Sequence, residues 1–354
     1  MARSLSKTPT NDPYRRPLTG KAPDVTIVVL AGGLSHERDV SLRSGRRVVD
    51  ALRGAGVETR LLDVDSALLS RLEADPPSVV VPLLHGASGE DGALRDVLEL
   101  LGLPYLGARP SACRTAFDKP SAKAVVTAAG LATPASVALP HSTFRELGAS
   151  AVLDAIVGSL GLPLMVKPAR GGSSLGAVVV RSAGDLPAAM VGSFSYGDTA
   201  LVERYVAGTE VAVTEVELDG RAQALPAVEI VPDGGFYDYT ARYVAGATEF
   251  FAPARLPADV AERCAAAALT AHRALGLRDL SRTDLIVDPA GVPWFLEVNV
   301  APGMTETSLF PQAVAAAGLD LGELLAELTT AATSRGADPR TASTNVTPWS
   351  QRLL

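Results

Sequence analysis

The chain has 354 residues, too many for one ordinary core and enough for two or three domains. Apolar residues make up 47% and charged residues 20%, as in a globular protein, and the formal net charge of -7 argues against nucleic acid as the main partner. Two distant cysteines, Cys113 and Cys264, exclude a disulfide framework, and four histidines leave little for a histidine-rich metal centre, so oxygen ligands are the better expectation for any metal.

Residues 1–20 are polar, lack an apolar run and read as a tail rather than a secretory signal. VTIVVLAGG starts a buried strand at Val25 and is too short to span a membrane. Apolar spacing through Val40, Val48, Val49 and Leu52 predicts a helix over 39–55. VETRLLDV and SVVVPLLHG read as a second and a third strand, the third ending at His85, and DGALRDVLELLG as a helix. This alternation predicts a doubly wound parallel-sheet unit over about 21–115.

Single helices are expected over 118–130 and 142–160, with a short strand, TPASVAL, between them. From 163 to 230, strand-like runs joined by glycine turns predict antiparallel sheet. Residues 232–249 show neither periodicity. With Phe236, Tyr237, Asp238, Tyr239, Arg242 and Tyr243 they read as a loop whose aromatics have no core to fill: a lid over a pocket, or a static contact between domains. An Ala-rich helix is expected over 257–276, a hairpin of TDLIVD and VPWFLEVN turning at Pro289-Ala290-Gly291, a last helix over 311–333, and a polar tail.

Four stretches carry candidate chemistry. In WFLEVN, strand alternation puts Phe295, Glu297 and Asn299 on one side and Leu296 and Val298 on the other. An acid on such a strand needs a partner or a metal. The hairpin brings Asp284 of SRTD to the same face, and three such oxygen ligands suit Mg²⁺; two ordinary surface acids on a half-buried hairpin are the alternative. KPARGGSSLG, from Lys167 to Gly176, joins two strands through small residues whose N–H groups can close around phosphate, although a glycine hairpin without a ligand has the same composition. GGLSHERDVS (32–41) follows the first strand, where open α/β sheets bind ligands. There Glu37 can take a substrate ammonium, or Asp39 or Ser41 simply caps the next helix. LHGASGEDG (84–92) lies at the same sheet edge: His85 is a site residue or a satisfied buried histidine, and Glu90 and Asp91 can merely charge a helix start.

These stretches, with LPYLG (103–107), DK (118–119), LVERYVAGTE (201–210), GGFYDYTARY (234–243) and FLEVNVAPGMTETSLFP (295–311), occur in an order that resembles the D-alanine–D-alanine ligases of the ATP-grasp superfamily, over about 25–330. The resemblance implies an N-terminal α/β domain (21–117) followed by two α+β domains (118–212 and 213–334) whose mainly antiparallel sheets clamp ATP, with polar tails at 1–20 and 335–354. It implies a cytoplasmic homodimer, with no nucleic-acid or membrane partner, feeding peptidoglycan synthesis. ATP phosphorylates the first D-alanine and the amine of the second attacks the acyl phosphate. A related acceptor, D-lactate or D-serine, and a non-catalytic nucleotide-binding regulator are the alternatives.

By the same resemblance Glu37, Ser174, Tyr243 and Arg282 are the catalytic set. Glu37 holds the first ammonium, His85 sits near its carboxylate, and Arg282 steadies the transferring phosphate. Gly303, Ser308 and Leu309 place the second D-alanine. Lys119, Lys167, Ser173, Ser174 and Arg242 face the ATP phosphates; Glu203, Arg204, Tyr205, Val206 and Glu210 border the adenosine. Asp284, Glu297 and Asn299 ligate two Mg²⁺ ions, for which Mn²⁺ can substitute. Ala169, Gly171, Arg242 and Val300 depart from the family's commoner residues, and Tyr243 matches its dipeptide-forming members.

Overall fold

The computed structural model describes residues 26–234, 237 and 246–337. Three parallel strands, β1 (Ile27–Ala31), β2 (Thr59–Asp63) and β3 (Val79–Pro82), form a first sheet in the order β2-β1-β3. β1 and β3 are apolar throughout because both faces are covered. On one face Val28, Leu30 and Val80 pack with Leu68, Leu72 and Leu98; on the other Ile27, Val29 and Val81 meet residues of the last two helices. β3 ends at Pro82, three residues before His85, so His85 lies on the loop that follows rather than closing the strand.

A second, antiparallel sheet takes the order β4-β7-β5-β6, from β4 (Ser136–Pro140), β5 (Leu164–Pro168), β6 (Val178–Val180) and β7 (Thr199–Arg204). The third sheet has six antiparallel strands: β8 (Thr209–Leu218), β9 (Arg221–Ala224), β10 (Val228–Pro232), β11 (Thr248–Phe251), β12 (Leu280–Val287) and β13 (Pro293–Asn299). Its order is β11-β10-β8-β12-β13, with β9 on β8.

Two helices expected to be continuous are broken. Gly148, at φ 85°, divides 141–160 into His141–Leu147 and Ala149–Leu160. The last helix starts earlier than expected and divides into Leu309–Ala316 and Leu321–Arg335, with Gly318 at φ 72° and Asp320 capping the second piece through Glu323 N–H. No single helix among the described residues is long and apolar enough to cross a membrane, although this last pair, bent by 103°, passes that test together by length and composition.

β13 does not alternate as its sequence suggests. Thr283 pairs with Val298 and Asp284 with Glu297, but Leu285 pairs with Phe295, so Leu296 is an extra residue. This bulge turns Phe295 away from Glu297. Phe295 and Val298 enter the core with Leu285 and Val287, whereas Leu296 and Glu297 face a cleft. The loop expectation also changes at Tyr237: it is buried, edge-on to Phe250 with centroids 6.2 Å apart, and belongs to a core cluster. Phe236, Asp238, Tyr239, Arg242 and Tyr243 lie outside the described residues.

Candidate active site

Two clefts meet at one point. The first, of about 410 Å³, lies between the second and third sheets and is lined by Lys119, Lys167, Glu203, Arg204, Tyr205, Val206, Glu210, Asp284, Leu296 and Glu297. The second, of about 330 Å³, lies between the parallel sheet and the third sheet and is lined by Glu37, His85, Ser173, Arg282, Asn299, Gly303, Ser308 and Leu309. Lys119, Gly171, Gly172, Tyr237 and Glu297 border both. A group held in one cleft therefore reaches the other past Lys119 and Glu297.

At this junction the antiparallel register sets Asp284 opposite Glu297 and Arg282 opposite Asn299. Arg282 holds Asp284 in a two-pronged contact, Nε to Oδ1 at 2.7 Å and Nη2 to Oδ2 at 2.8 Å. Burial works against the Arg282 charge, but the Asp284 carboxylate outweighs it and holds the guanidinium protonated. Glu297 pairs with Lys119 at 3.1 Å, and Lys119 also donates to the Gly171 carbonyl at 2.7 Å. Asn299 Oδ1 accepts the Ala301 N–H at 2.9 Å, which fixes its amide. No three His, Cys, Asp or Glu side chains cluster as metal ligands among the described residues, so a metal here would depend on Asn299 as its third donor. Two carboxylates and an amide oxygen, with no soft ligand, fit a hard divalent cation.

The first cleft has a charged wall. Lys167 Nζ lies 2.6 Å from Glu203 Oε2, and Lys123 contacts the other Glu203 oxygen. Burial pushes Glu203 up, but the two ammonium groups overcome it and hold the carboxyl below its usual range. Burial likewise opposes the Lys167 charge, and Glu203 and Glu297 raise its pKa in spite of it. Lys123 was not singled out from sequence. Its signal is spacing: it follows Lys119 by four residues, which puts both on one helix face.

Above the junction runs the glycine-rich loop. Ser173 and Ser174 both take left-handed φ, 53° and 55°, a conformation costly for residues with a Cβ. Each hydroxyl is engaged: Ser173 donates to Glu37 and Ser174 to the Tyr237 carbonyl at 3.0 Å. Glu37 itself sits at the N-cap of the helix Arg38–Gly54, without a side-chain cap bond. Asp39 is not the cap, and neither is Ser41. The Ser41 hydroxyl donates to Leu83 O at 2.7 Å and accepts from Gly32 N–H at 2.8 Å, stitching the ends of β1 and β3 together.

His85 is buried and its pKa is lowered, with burial the leading cause, so the ring is neutral. Glu90, which the sequence allows merely to charge a helix start, lies in the first turn of the helix Ala87–Glu90 and is buried in the second cleft's wall. Burial and the nearby Glu37 push its pKa up to about 8, and it accepts the Gly86 N–H at 2.8 Å. Ser308 sits at the N-cap of Leu309–Ala316 without a side-chain cap bond, receives the Thr305 N–H at 2.9 Å and lies beside Gly303, where a Cβ would come within 2.8 Å of its hydroxyl.

Comparison with known proteins gives one answer. The family described as "D-ala D-ala ligase C-terminus" matches residues 125–330. A D-alanine–D-alanine ligase of Anaeromyxobacter dehalogenans (strain 2CP-1) is 44% identical over 84% of this chain and 94% of its own length; one of Gloeobacter violaceus is 43% identical over 84% and 96%. Among solved structures, the VanG D-Ala:D-Ser ligase of Enterococcus faecalis superposes with a TM-score of 0.75 at 28% identity, covering 88% of this chain and all of that one. The D-alanine–D-alanine ligase of Bacillus anthracis complexed with ATP gives 0.72 at 28% identity, over 88% and 98%. The chain thus has the ATP-grasp fold and belongs to the D-alanine–D-alanine ligase family.

Proposed function

We propose that this protein joins two D-alanines at the cost of ATP, through a D-alanyl phosphate, releasing D-alanyl-D-alanine, ADP and phosphate for peptidoglycan precursor synthesis. The observation that carries the reading is the shared border of the two clefts: one cleft has room for a nucleotide, the other for two small amino acids, and Lys119 and Glu297 edge both.

ATP lies between the second and third sheets, its adenosine beside Glu203, Arg204, Tyr205, Val206 and Glu210 and its phosphates toward Lys119, Lys167 and the Ser173–Ser174 loop. Glu37 takes the ammonium of the first D-alanine, and its carboxylate attacks the terminal phosphorus. ADP leaves, and Arg282 offsets charge on the transferring phosphoryl group. The ammonium of the second D-alanine, held at Gly303, Ser308 and Leu309, gives one proton to water and its amine attacks the acyl carbon; phosphate leaves with the C–O electron pair and takes up the second proton lost from nitrogen. Asp284, Glu297 and Asn299 would hold two Mg²⁺ ions, or Mn²⁺, which supply charge neutralisation at the phosphates. Shielding from water preserves the acyl phosphate, a task the family resemblance gives to Arg242 and Tyr243, which lie outside the described residues. The protein acts in the cytoplasm as a homodimer.

Purified protein incubated with Mg²⁺-ATP and a panel of D-alanine, D-serine, D-lactate and L-alanine tests this, with ADP release and product mass read together. D-Ala-D-Ala as the dominant product supports the reading. A depsipeptide or D-Ala-D-Ser replaces the acceptor, and ATP binding without turnover overturns catalysis.

A further inference from the structure

The turn 300–304 connects Asn299 to the Gly303–Ser308 pocket, and buried side chains from the N-terminal part of the chain grip it. Met304 N–H donates to Ser44 Oγ at 3.1 Å, although 260 residues separate them. Ser44 Oγ lies 3.3 Å from His85 Nε2, and His85 Nδ1 lies 3.1 Å from Ala301 O. A carbonyl only accepts, so Nδ1 carries the proton, Nε2 is the acceptor, and the Ser44 hydroxyl donates to it. One serine and one histidine thus form a closed relay from Met304 N–H back to Ala301 O. Arg95 supports the same strand end: it donates to Gly89 O and reaches Val300 O at 3.4 Å. Ser44 is wholly buried, and His85 and Arg95 nearly so.

The turn has little room for displacement. A Cβ at Gly303 would stand 2.8 Å from Ser308 Oγ, so the path of 301–304 sets where that hydroxyl lies. The Ser308 hydroxyl also accepts the Thr305 N–H and lies 2.8 Å from Thr305 Oγ1, which ties it to the same segment.

We propose that Ser44 is a positioning residue for the second amino acid: through Met304 N–H and His85 it holds both ends of the 301–304 turn and thereby places Gly303 and Ser308. This rests on the reading of Gly303 and Ser308 as the acceptor subsite. Ser44 touches no substrate. Neither nitrogen of the His85 ring is left over for one, so His85 works here through the Ala301 carbonyl.

The test uses the full chain with Ser44→Ala and Ser44→Thr. Steady-state rates give separate KM values for ATP and for the first and second D-alanine, and hydrogen exchange follows the amides of 301–308. In Ser44→Ala the KM for the second D-alanine rises about tenfold, the effect of one lost buried hydrogen bond to backbone. The KM values for ATP and the first D-alanine stay within about twofold, and the 301–308 amides exchange faster. Ser44→Thr, which keeps the hydroxyl, restores both readouts toward wild type. His85→Asn, with an amide donor near the Nδ1 position, keeps more of the second-site affinity than His85→Gln. The proposal is overturned if the second KM is unchanged, if all three KM values rise together, or if the exchange of 301–308 does not change. If the wild type forms no dipeptide, the ligase reading fails, and the exchange arm alone decides whether the relay holds the turn.

Discussion

At the scale of single residues, charge pairing organises the site. Asp284 and Glu297 each already face a cation, Arg282 and Lys119. Glu297→Ala leaves the core untouched, because Glu297 projects into the clefts. It is expected to lower Mg²⁺-dependent ADP release at least about a hundredfold, with the thermal melt near wild type. Arg282→Lys keeps the charge but loses the two-pronged hold on Asp284, and the expected fall in kcat is of similar size. Glu203 matters in another way. With its side chain 2% exposed between Lys123 and Lys167, it is a buried charge that the two ammonium groups offset. Lys123→Met should cost about 3–5 kcal/mol in urea denaturation, since half of that pairing disappears. Glu215 has the opposite sign. Burial pushes its pKa up to about 7 from 4.5, so between those values the folded protein keeps a proton that the unfolded chain releases. Stability contributed at this site falls as pH rises from 4.5 to 7 and is level above. In Glu215→Gln that decline, on the order of 3 kcal/mol, should be missing from the pH dependence of unfolding.

At the scale of elements, the bulge in β13 is the feature that alternation could not foresee. Period two assigns Phe295 and Glu297 to one face, and that assignment conflicts with burying Phe295 while exposing Glu297 to a ligand. The extra residue, Leu296, resolves the conflict. Deleting Leu296 restores a regular ladder at the cost of swinging either Phe295 into the cleft or Glu297 into the core; loss of both activity and stability is expected, read by ADP release and thermal melt. The helix breaks at Gly148 and Gly318 follow from chemistry visible in the sequence, glycine at positive φ, and were masked by apolar runs on either side. The hairpin partner of β13, its antiparallel pairing and the convergence of Asp284 with Glu297 were legible from spacing alone, because strand pairing across a short turn is local. The Lys123–Glu203, Ser44–His85 and His85–Ala301 contacts were not, because they join residues 80, 41 and 216 positions apart.

At the scale of the whole molecule, three sheets among the described residues surround one path. The parallel sheet offers the carboxyl ends of its strands, where Glu37 and His85 sit on loops, and the two antiparallel sheets enclose the first cleft. The layered order of parallel and antiparallel units was readable from the change in glycine and strand patterning near residue 163. The way the units dock was not, since it depends on faces such as Ile27, Val29 and Val81 meeting the last two helices. The docking matters for chemistry because it joins the clefts at Lys119 and Glu297, and on the proposed reading a carboxylate on one side receives a phosphoryl group from the other. Turnover with D-alanine labelled with ¹⁸O in its carboxylate tests that transfer directly. The account predicts one ¹⁸O in the released inorganic phosphate for each dipeptide formed. Dipeptide accompanied by unlabelled phosphate would contradict it.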